Sequence, residues 1–395
     1  MARHAQSLST GYDNTQHLSM GVLALCFPVV DVQRIIEQCG KASRRVRDLP
    51  AVVVVFYVMA MSLFPAVGYQ SVLRWLLCGL QWLGSGNFRL SGKGSLSRAR
   101  QRLGEEPVKR VFEQMAAPLA DANLQGSYWK GLHVVALDGS TLALQDTASN
   151  EAAFGRSSNQ NGKAAYPMSR FVALAEVGTH MIFAARLGRY DTSEIELAKA
   201  LVDHLRPGML CLADRLFPGT PLWKKAAATG AHLLWRAKTS LQLTRIEDLP
   251  DGSWLARWAP SQGRKGASPD LVVRVVEYRL NPRDGEIYRL ITTLTDPAFA
   301  SAQELAGFYP QRWEVELTIK EGKSILRQKQ LTLRSKVAPL VRQEFWGLLL
   351  AHYMVRKMMA RAALDRGIDP DGLSFQNSVE IMKSTHTGPV LFFSP

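Results

Sequence analysis

With 395 residues, 47% of them hydrophobic, the chain is long enough to bury the cores of two or three domains and too apolar to be a disordered tail. A formal net charge of +14 favours a polyanionic partner, either nucleic acid or an anionic membrane surface. The four cysteines form no C-x-x-C pair and stand beside no histidine cluster at zinc-like spacing, which argues against a disulfide framework or structural zinc and makes a reduced cytoplasm the default compartment.

The opening residues, MARHAQSLSTGYDNTQH, lack the charged-then-apolar order of a signal peptide. Residues 18–125 carry apolar runs broken by turn signals at Pro28, Gly68 and Gly84-Ser85-Gly86-Asn87, so a helical domain is expected over 1–128. The run AVVVVFYVMAMSLF (51–64) is the one membrane candidate, but Pro65 ends it at 14 residues, where a span needs about 20. A buried helix and no membrane partner are expected. The segment SLSRARQRLGEEPVKRVFEQM (95–115) offers a serine N-cap and sets Arg98 and Arg102 one turn apart, with Arg100 nearby. Lys41, Arg44, Arg45 and Arg47 make a second basic knot. Each group either contacts DNA phosphates or lines a solvated helix face. Residues 1–128 and 318–395 each carry a net +6, against +2 for 129–317, which suits a catalytic body held on a polyanion by its periphery.

From residue 133 the pattern changes to strands. HVVALDGSTLAL (133–144) is an apolar run that meets Asp138 before a turn-prone Gly139-Ser140. After a Gly/Asn/Ser-rich loop (155–163), SRFVALAEVGTHMIFAARLG (169–188) predicts a hairpin turning near Gly178-Thr179, and SEIELAKALVDHL (193–205) an amphipathic helix. GMLCLADRLF (208–217) is another apolar run ending on an acid, Asp214, followed by a short helix (220–229) and the strand AHLLWRAK (231–238). This order predicts an α/β domain with both aspartates at strand ends on one edge of the sheet. Residues 240–296, strand-rich and aromatic with a Gly/Pro/Ser break at 260–270, read as a β insertion. Pro310 then opens a helix, and residues 333–364 read as a long, largely buried one.

In YPQRWEVELTIKEGK (309–323), at about 100° per residue, Tyr309, Arg312, Glu316 and Lys323 share one narrow stripe. Alone, the stripe also reads as a solvated, ion-paired face, since Arg312/Glu316 and Glu316/Lys320 are spaced i,i+4. Each aspartate alone also reads as an ordinary turn or cap. Together the three acids supply the hard oxygen donors that a pair of Mg2+ ions requires for in-line displacement at phosphorus.

The spacing Tyr309-x2-Arg312-x3-Glu316-x6-Lys323 resembles the Y-R-E-K signature of DDE transposases from bacterial insertion sequences of the insertion-sequence-four group. LDGS around Asp138, ADRLF around Asp214, SLSRARQRLG (95–104) and LRSKVAPLVRQE (333–344) are similar to further segments of that group. The resemblance implies a ribonuclease-H-like catalytic domain over 129–365 with a β insertion at about 240–296, preceded by a helical DNA-binding domain (1–128). It implies cutting at element ends and joining of 3′-hydroxyls to target DNA. Asp138, Asp214 and Glu316 would hold two Mg2+ ions, with Mn2+ as substitute, while Tyr309, Arg312 and Lys323 grip the DNA backbone. Tyr288 stands where relatives carry an aromatic that stacks on a flipped base, although an ordinary strand aromatic is the other reading; Trp254 and Trp258 are weaker candidates. The implied partners are double-stranded DNA, both terminal inverted repeats and target, and a second copy of the chain. The tail (366–395), ending in HTGPVLFFSP, departs from the longer helical end expected in the group. It leaves two readings: an active enzyme, or a truncated copy that binds element ends and inhibits transposition.

Overall fold

The computed structural model describes residues 23–43, 48–82, 92–119, 121–159, 162–258, 271–279, 287–328 and 330–384. The chain separates into two compact units, one of residues 1–119, 142–169 and 320–395, the other of residues 120–141 and 170–319. These units cut across the expected divisions at 128 and 365. Arg44, Arg45, Arg47, the turn at 84–87, the break at 260–270 and the tail from 385 lie outside the described residues.

In the first unit the apolar run forms the helix Ala51–Leu63, every residue of which from Val53 onward is buried. Its partner is the helix Ala338–Arg366, which also buries most of its length. The two backbones touch at Gly347, where a Cβ would lie 2.6 Å from Val58 Cγ1 and 2.7 Å from the Val58 carbonyl oxygen. Packing this close needs a residue without a side chain. Among the described residues no helix is long and apolar enough to cross a membrane.

The basic segment departs from expectation in two ways. Its helix runs Lys93–Leu103 with Gly92 in the cap position, so Ser95 lies inside the first turn, and Gly104 at φ 77° separates it from the helix Glu106–Met115. Arg100 points into the core, where its guanidinium donates to Gln343 Oε1 (2.8 Å), Ser335 Oγ (3.1 Å) and the Leu340 carbonyl (3.1 Å). Those acceptors satisfy a buried cation and tie the helix to the C-terminal one.

The second unit is built on a mixed sheet. In chain order its strands are β1 (Tyr128–Trp129), β2 (Leu132–Ala143), and, beyond the small β3 (Ser158–Asn159) and β4 (Gly162–Lys163) ribbon, β5 (Met168–Glu176) and β6 (Ile182–Arg189). These are followed by β7 (Met209–Ala213), β8 (His232–Ala237), β9 (Thr244–Asp248), β10 (Trp254–Trp258), β11 (Leu271–Tyr278) and β12 (Tyr288–Thr292). The spatial order is β6-β5-β2-β7-β8-β12-β11-β10-β9, with β1 paired to β2. β2, β7 and β8 are parallel, and β12, β11, β10 and β9 add to them antiparallel. The β5–β6 hairpin turns over residues 177–181, as expected, and helices Glu194–Leu201 and Thr220–Ala227 connect the parallel strands. The fold is the ribonuclease-H-like α/β class expected from the sequence.

Strands β9–β11 therefore extend the central sheet rather than form a module beside it. Their indoles join its core: Trp223 meets Trp235 and Trp258 edge-to-face at 5.1 and 5.8 Å. Trp258 is 3% exposed, and Trp254, 7% exposed, lies under the Arg245 guanidinium, which takes both away from base stacking. Arg274 on β11 is fully buried and donates to Ser253 Oγ (2.8 Å), the Leu294 and Ala300 carbonyls (3.1 and 2.7 Å) and Asp251. Asp251 in turn accepts the Ala302 N–H (2.6 Å) that opens the next helix, so the insertion fastens the segment leading to the glutamate.

Candidate active site

Parallel pairing of β2 and β7 ends at Leu137 opposite Ala213, about 4.8 Å apart in backbone spacing, so Asp138 within β2 and Asp214 just past the end of β7 follow directly on a paired position. Asp138 lies inside β2 rather than at its end, because β2 continues for five residues beyond it. The turn-prone Gly139-Ser140 pair is thus part of a strand that outruns its parallel partner. Gly139 N–H donates to Asp138 Oδ1 (2.8 Å), and Arg215 N–H donates to Asp214 Oδ1. These local bonds orient each carboxylate and leave its outer oxygen free of them.

The glutamate arrives from the helical segment after β12. Ser301 and Glu304 form a capping box at the start of the helix Ala302–Phe308, and Lys130 pairs with Glu304 at 2.7 Å. The signature that follows is not one regular helix. Tyr309–Arg312 is a 3-10 turn, Trp313–Lys320 is α-helical and Glu321–Leu326 is a π-helix. The uniform period behind the expected stripe therefore holds only in part. Pro310 lacks the N–H for a full α turn, and Glu321, where the π segment starts, is drawn into buried bonds with His352 (3.0 Å) and Arg356 (2.8 Å).

Arg312 is 5% exposed and its guanidinium donates to Glu316 Oε1 at 2.7 Å, while its Nε and Nη1 are buried without a hydrogen-bond partner. Burial works against its charge, but Tyr309, Glu316 and Asp214 outweigh that and raise its pKa. Tyr309 is buried, and its hydroxyl donates to the Ala213 carbonyl at 3.1 Å. The phenol expected on a phosphate thus holds the signature segment to the end of β7. Burial, reinforced by Asp214, raises its pKa.

Burial pushes the Asp138 carboxyl up to about 6, opposed by the Gly139 N–H and Arg312 and reinforced by Glu316 and Glu194. The like charges around it outnumber the one cation, which is the electrostatic state a divalent ion would relieve. Among the described residues, Asp138, Asp214 and Glu316 do not present three oxygens all within 4.8 Å of one another. The donor set, carboxylates without histidine or thiol, fits a hard cation.

Tyr288 is half-buried on β12, with its ring 5.6 Å from that of Tyr278 and the Arg236 guanidinium 4.1 Å over it. Lys323, Arg98 and Arg102 belong to the other unit. Lys323 sits half-buried on the π segment, where burial, with Arg327, lowers its pKa. Arg98 and Arg102 are exposed, reaching Ser95 Oγ (3.4 Å) and the Leu49 carbonyl (3.5 Å). Two residues escaped the sequence reading. Trp313 is 59% exposed directly beside Arg312, and Glu194 reaches Gly139 from the helix before β7. Only the tryptophan that follows the signature arginine hints at the first, and nothing local hints at the second.

Two family models match the chain: the insertion element 4 transposase N-terminal region over residues 17–113 and the transposase DDE domain over residues 129–354. The transposase InsG for insertion sequence element IS4 of Escherichia coli strain K12 is 32% identical over 351 residues, covering 88% of this chain and 78% of that protein. InsZ of the same strain is 26% identical over 209 residues, 53% of this chain and 68% of that one. A cryo-EM structure of the piggyBac transposase synaptic complex with hairpin DNA aligns with 93% of this chain and 79% of its own at 11% identity and a TM-score of 0.44. The chain belongs to the insertion element 4 family of DDE transposases, metal-dependent enzymes that cut DNA and transfer the cut ends.

Proposed function

We propose that this chain cuts at the terminal inverted repeats of an insertion sequence and joins the freed 3′-hydroxyls to target DNA, with Asp138, Asp214 and Glu316 as ligands of two Mg2+ or Mn2+ ions. The observation that carries the reading is the register Leu137–Ala213, which makes the two aspartates neighbours within electrostatic reach of Arg312 and Glu316. Bound at these carboxylates, the cations would activate the entering oxygen and stabilise the leaving one.

The chain's own residues supply the rest. Tyr309 fixes the signature turn on β7 through the Ala213 carbonyl. Arg312 donates to Glu316, and its unpartnered Nε and Nη1 suit a phosphate oxygen once Glu316 turns to a cation. Trp313 and Tyr288 offer aromatic faces for unstacked bases. Arg98, Arg102 and Lys323 contribute backbone contacts from the helical unit, residues 1–128 acting as the end-binding part. The working species is a homodimer on paired ends in the cytoplasm, at the nucleoid.

The test is a nicking assay on supercoiled DNA bearing the element's ends. Mg2+-dependent nicks at the end boundaries, abolished by EDTA, are expected. Tight binding to end DNA with no nicking in Mg2+ or Mn2+ would instead identify an inactive copy that blocks transposition by occupying ends.

A further inference from the structure

We infer that Glu321 is a positioning residue for DNA binding: locked to His352 and Arg356, it fixes the π turn that directs Lys323 towards a backbone phosphate. The inference rests on Lys323 as a backbone contact, proposed above, and adds the residues that aim it.

All four side chains belong to the first unit. Glu321 opens the π segment Glu321–Leu326, and Lys323 is its third residue. Glu321 is buried against the helix Ala338–Arg366, whose His352 and Arg356 stand one turn apart and are buried too. Glu321 Oε2 accepts from Arg356 Nε at 2.8 Å and lies 3.0 Å from His352 Nε2, while Oε1 accepts from Arg356 Nη2. The Phe375 ring closes the cluster, 5.3 Å from the His352 ring and 5.4 Å from the Arg356 guanidinium. Both carboxylate oxygens are therefore held, and the planar fork of Arg356 sets their direction of approach.

Stability alone does not account for such a set, since apolar side chains of similar volume in place of a buried ion pair are often neutral or stabilising. A π turn is rare and collects at functional sites. Here it begins at the residue the cluster grips. Gly322 follows, with nothing outside its own turn within 4 Å of where a Cβ would stand, so its missing side chain serves the backbone rather than making room for a neighbour. Lys323 stands two positions after Glu321, about 200° around a helix. Drawing Glu321 onto the C-terminal helix thus turns Lys323 to the opposite side. An exposed lysine can reach a phosphate from many directions. Lys323 is half-buried, so its stem is confined and its direction follows the backbone.

The experiment measures the affinity of the full-length chain for DNA carrying the element's ends, by fluorescence anisotropy in EDTA over a range of salt concentrations. Thermal melts confirm that each variant is folded. Lys323→Ala is expected to weaken binding and to flatten the slope of log K against log salt by about 0.9, the share of one phosphate contact. Glu321→Gln is expected to weaken binding and flatten the slope by a similar amount. Because it removes a negative charge, overall electrostatics would strengthen its hold on a polyanion, so the sign separates positioning from charge. In the Lys323→Ala background, Glu321→Gln is expected to change nothing further. Met359→Ala, a core truncation on the same C-terminal helix, is expected to lower the melting temperature and keep the wild-type slope. A wild-type slope in Glu321→Gln with Lys323→Ala flattened, additive losses in the double variant, or a flattened slope in Met359→Ala overturns the positioning role and leaves the Lys323 contact standing. A wild-type slope in Lys323→Ala overturns both. Should Glu321→Gln fail to fold, Arg356→Lys decides, since it keeps a cation against Glu321 but gives up the fork. A flattened slope that disappears in the Lys323→Ala background supports the inference, and a wild-type slope overturns it.

Discussion

Asp138→Ala, Asp214→Ala and Glu316→Ala are each expected to lower nicking of end-containing DNA by at least about a thousandfold, as loss of a group acting in a concerted site does. Gel-shift affinity for the same DNA should remain close to wild type, since phosphate contacts made by arginines and lysines dominate affinity. The two aspartates each follow the last paired position of β2 and β7, Leu137 and Ala213, so their variants should fail alike. Glu316 is bound by Arg312, and its loss frees that guanidinium. Glu316→Ala should therefore bind DNA as well as or better than the wild type while failing to cut it. Equal loss of binding and cutting in all three would point to collapse of the fold.

Asp138→Asn is expected to raise the melting temperature of the metal-free protein by several degrees at pH 7.5 while abolishing cutting. Its folded value of about 6 lies above the ordinary 3.8, chiefly through burial. The native state therefore holds a proton over that interval that the unfolded chain has released. Stability consequently falls as pH rises from about 4 to 6, and the penalty is full above 6. Allowing for the solvent that reaches this partly exposed side chain, the shift corresponds to about 2–3 kcal/mol, which the neutral asparagine recovers. Melts in EDTA should show the gain at pH 7.5 and its disappearance near pH 4. A variant less stable than the wild type at pH 7.5 would mean that the Asp138 charge supports the fold. A site that gives up stability in its empty state is consistent with a carboxylate kept for a cation.

Much of the architecture was legible because it is written locally. The apolar runs before Asp138 and Asp214, the hairpin turn at Gly178-Thr179 and the buried run at 51–64 depend on neighbours a few residues away. Non-local pairing was not legible. The same arginine chemistry recurs at 98, 100 and 102, yet Arg100 alone is buried, because Gln343 and Ser335, more than 230 residues on, provide its acceptors. Gly139-Ser140 looked like a turn and is strand, because β2 extends past its parallel partner. The signature stripe assumed one helical period, whereas Pro310 and the Glu321 bonds give three. Glu194 could not be singled out, since only the folded register sets it against Gly139.

The most direct measurement is anomalous diffraction at the manganese edge from crystals of the chain grown with Mn2+. The expected result is manganese density in contact with the carboxylates of both Asp138 and Asp214, with Glu316 turned away from Arg312. Manganese bound only elsewhere, in protein that cuts end DNA in the same buffer, would contradict the assignment of these acids as the site of catalysis.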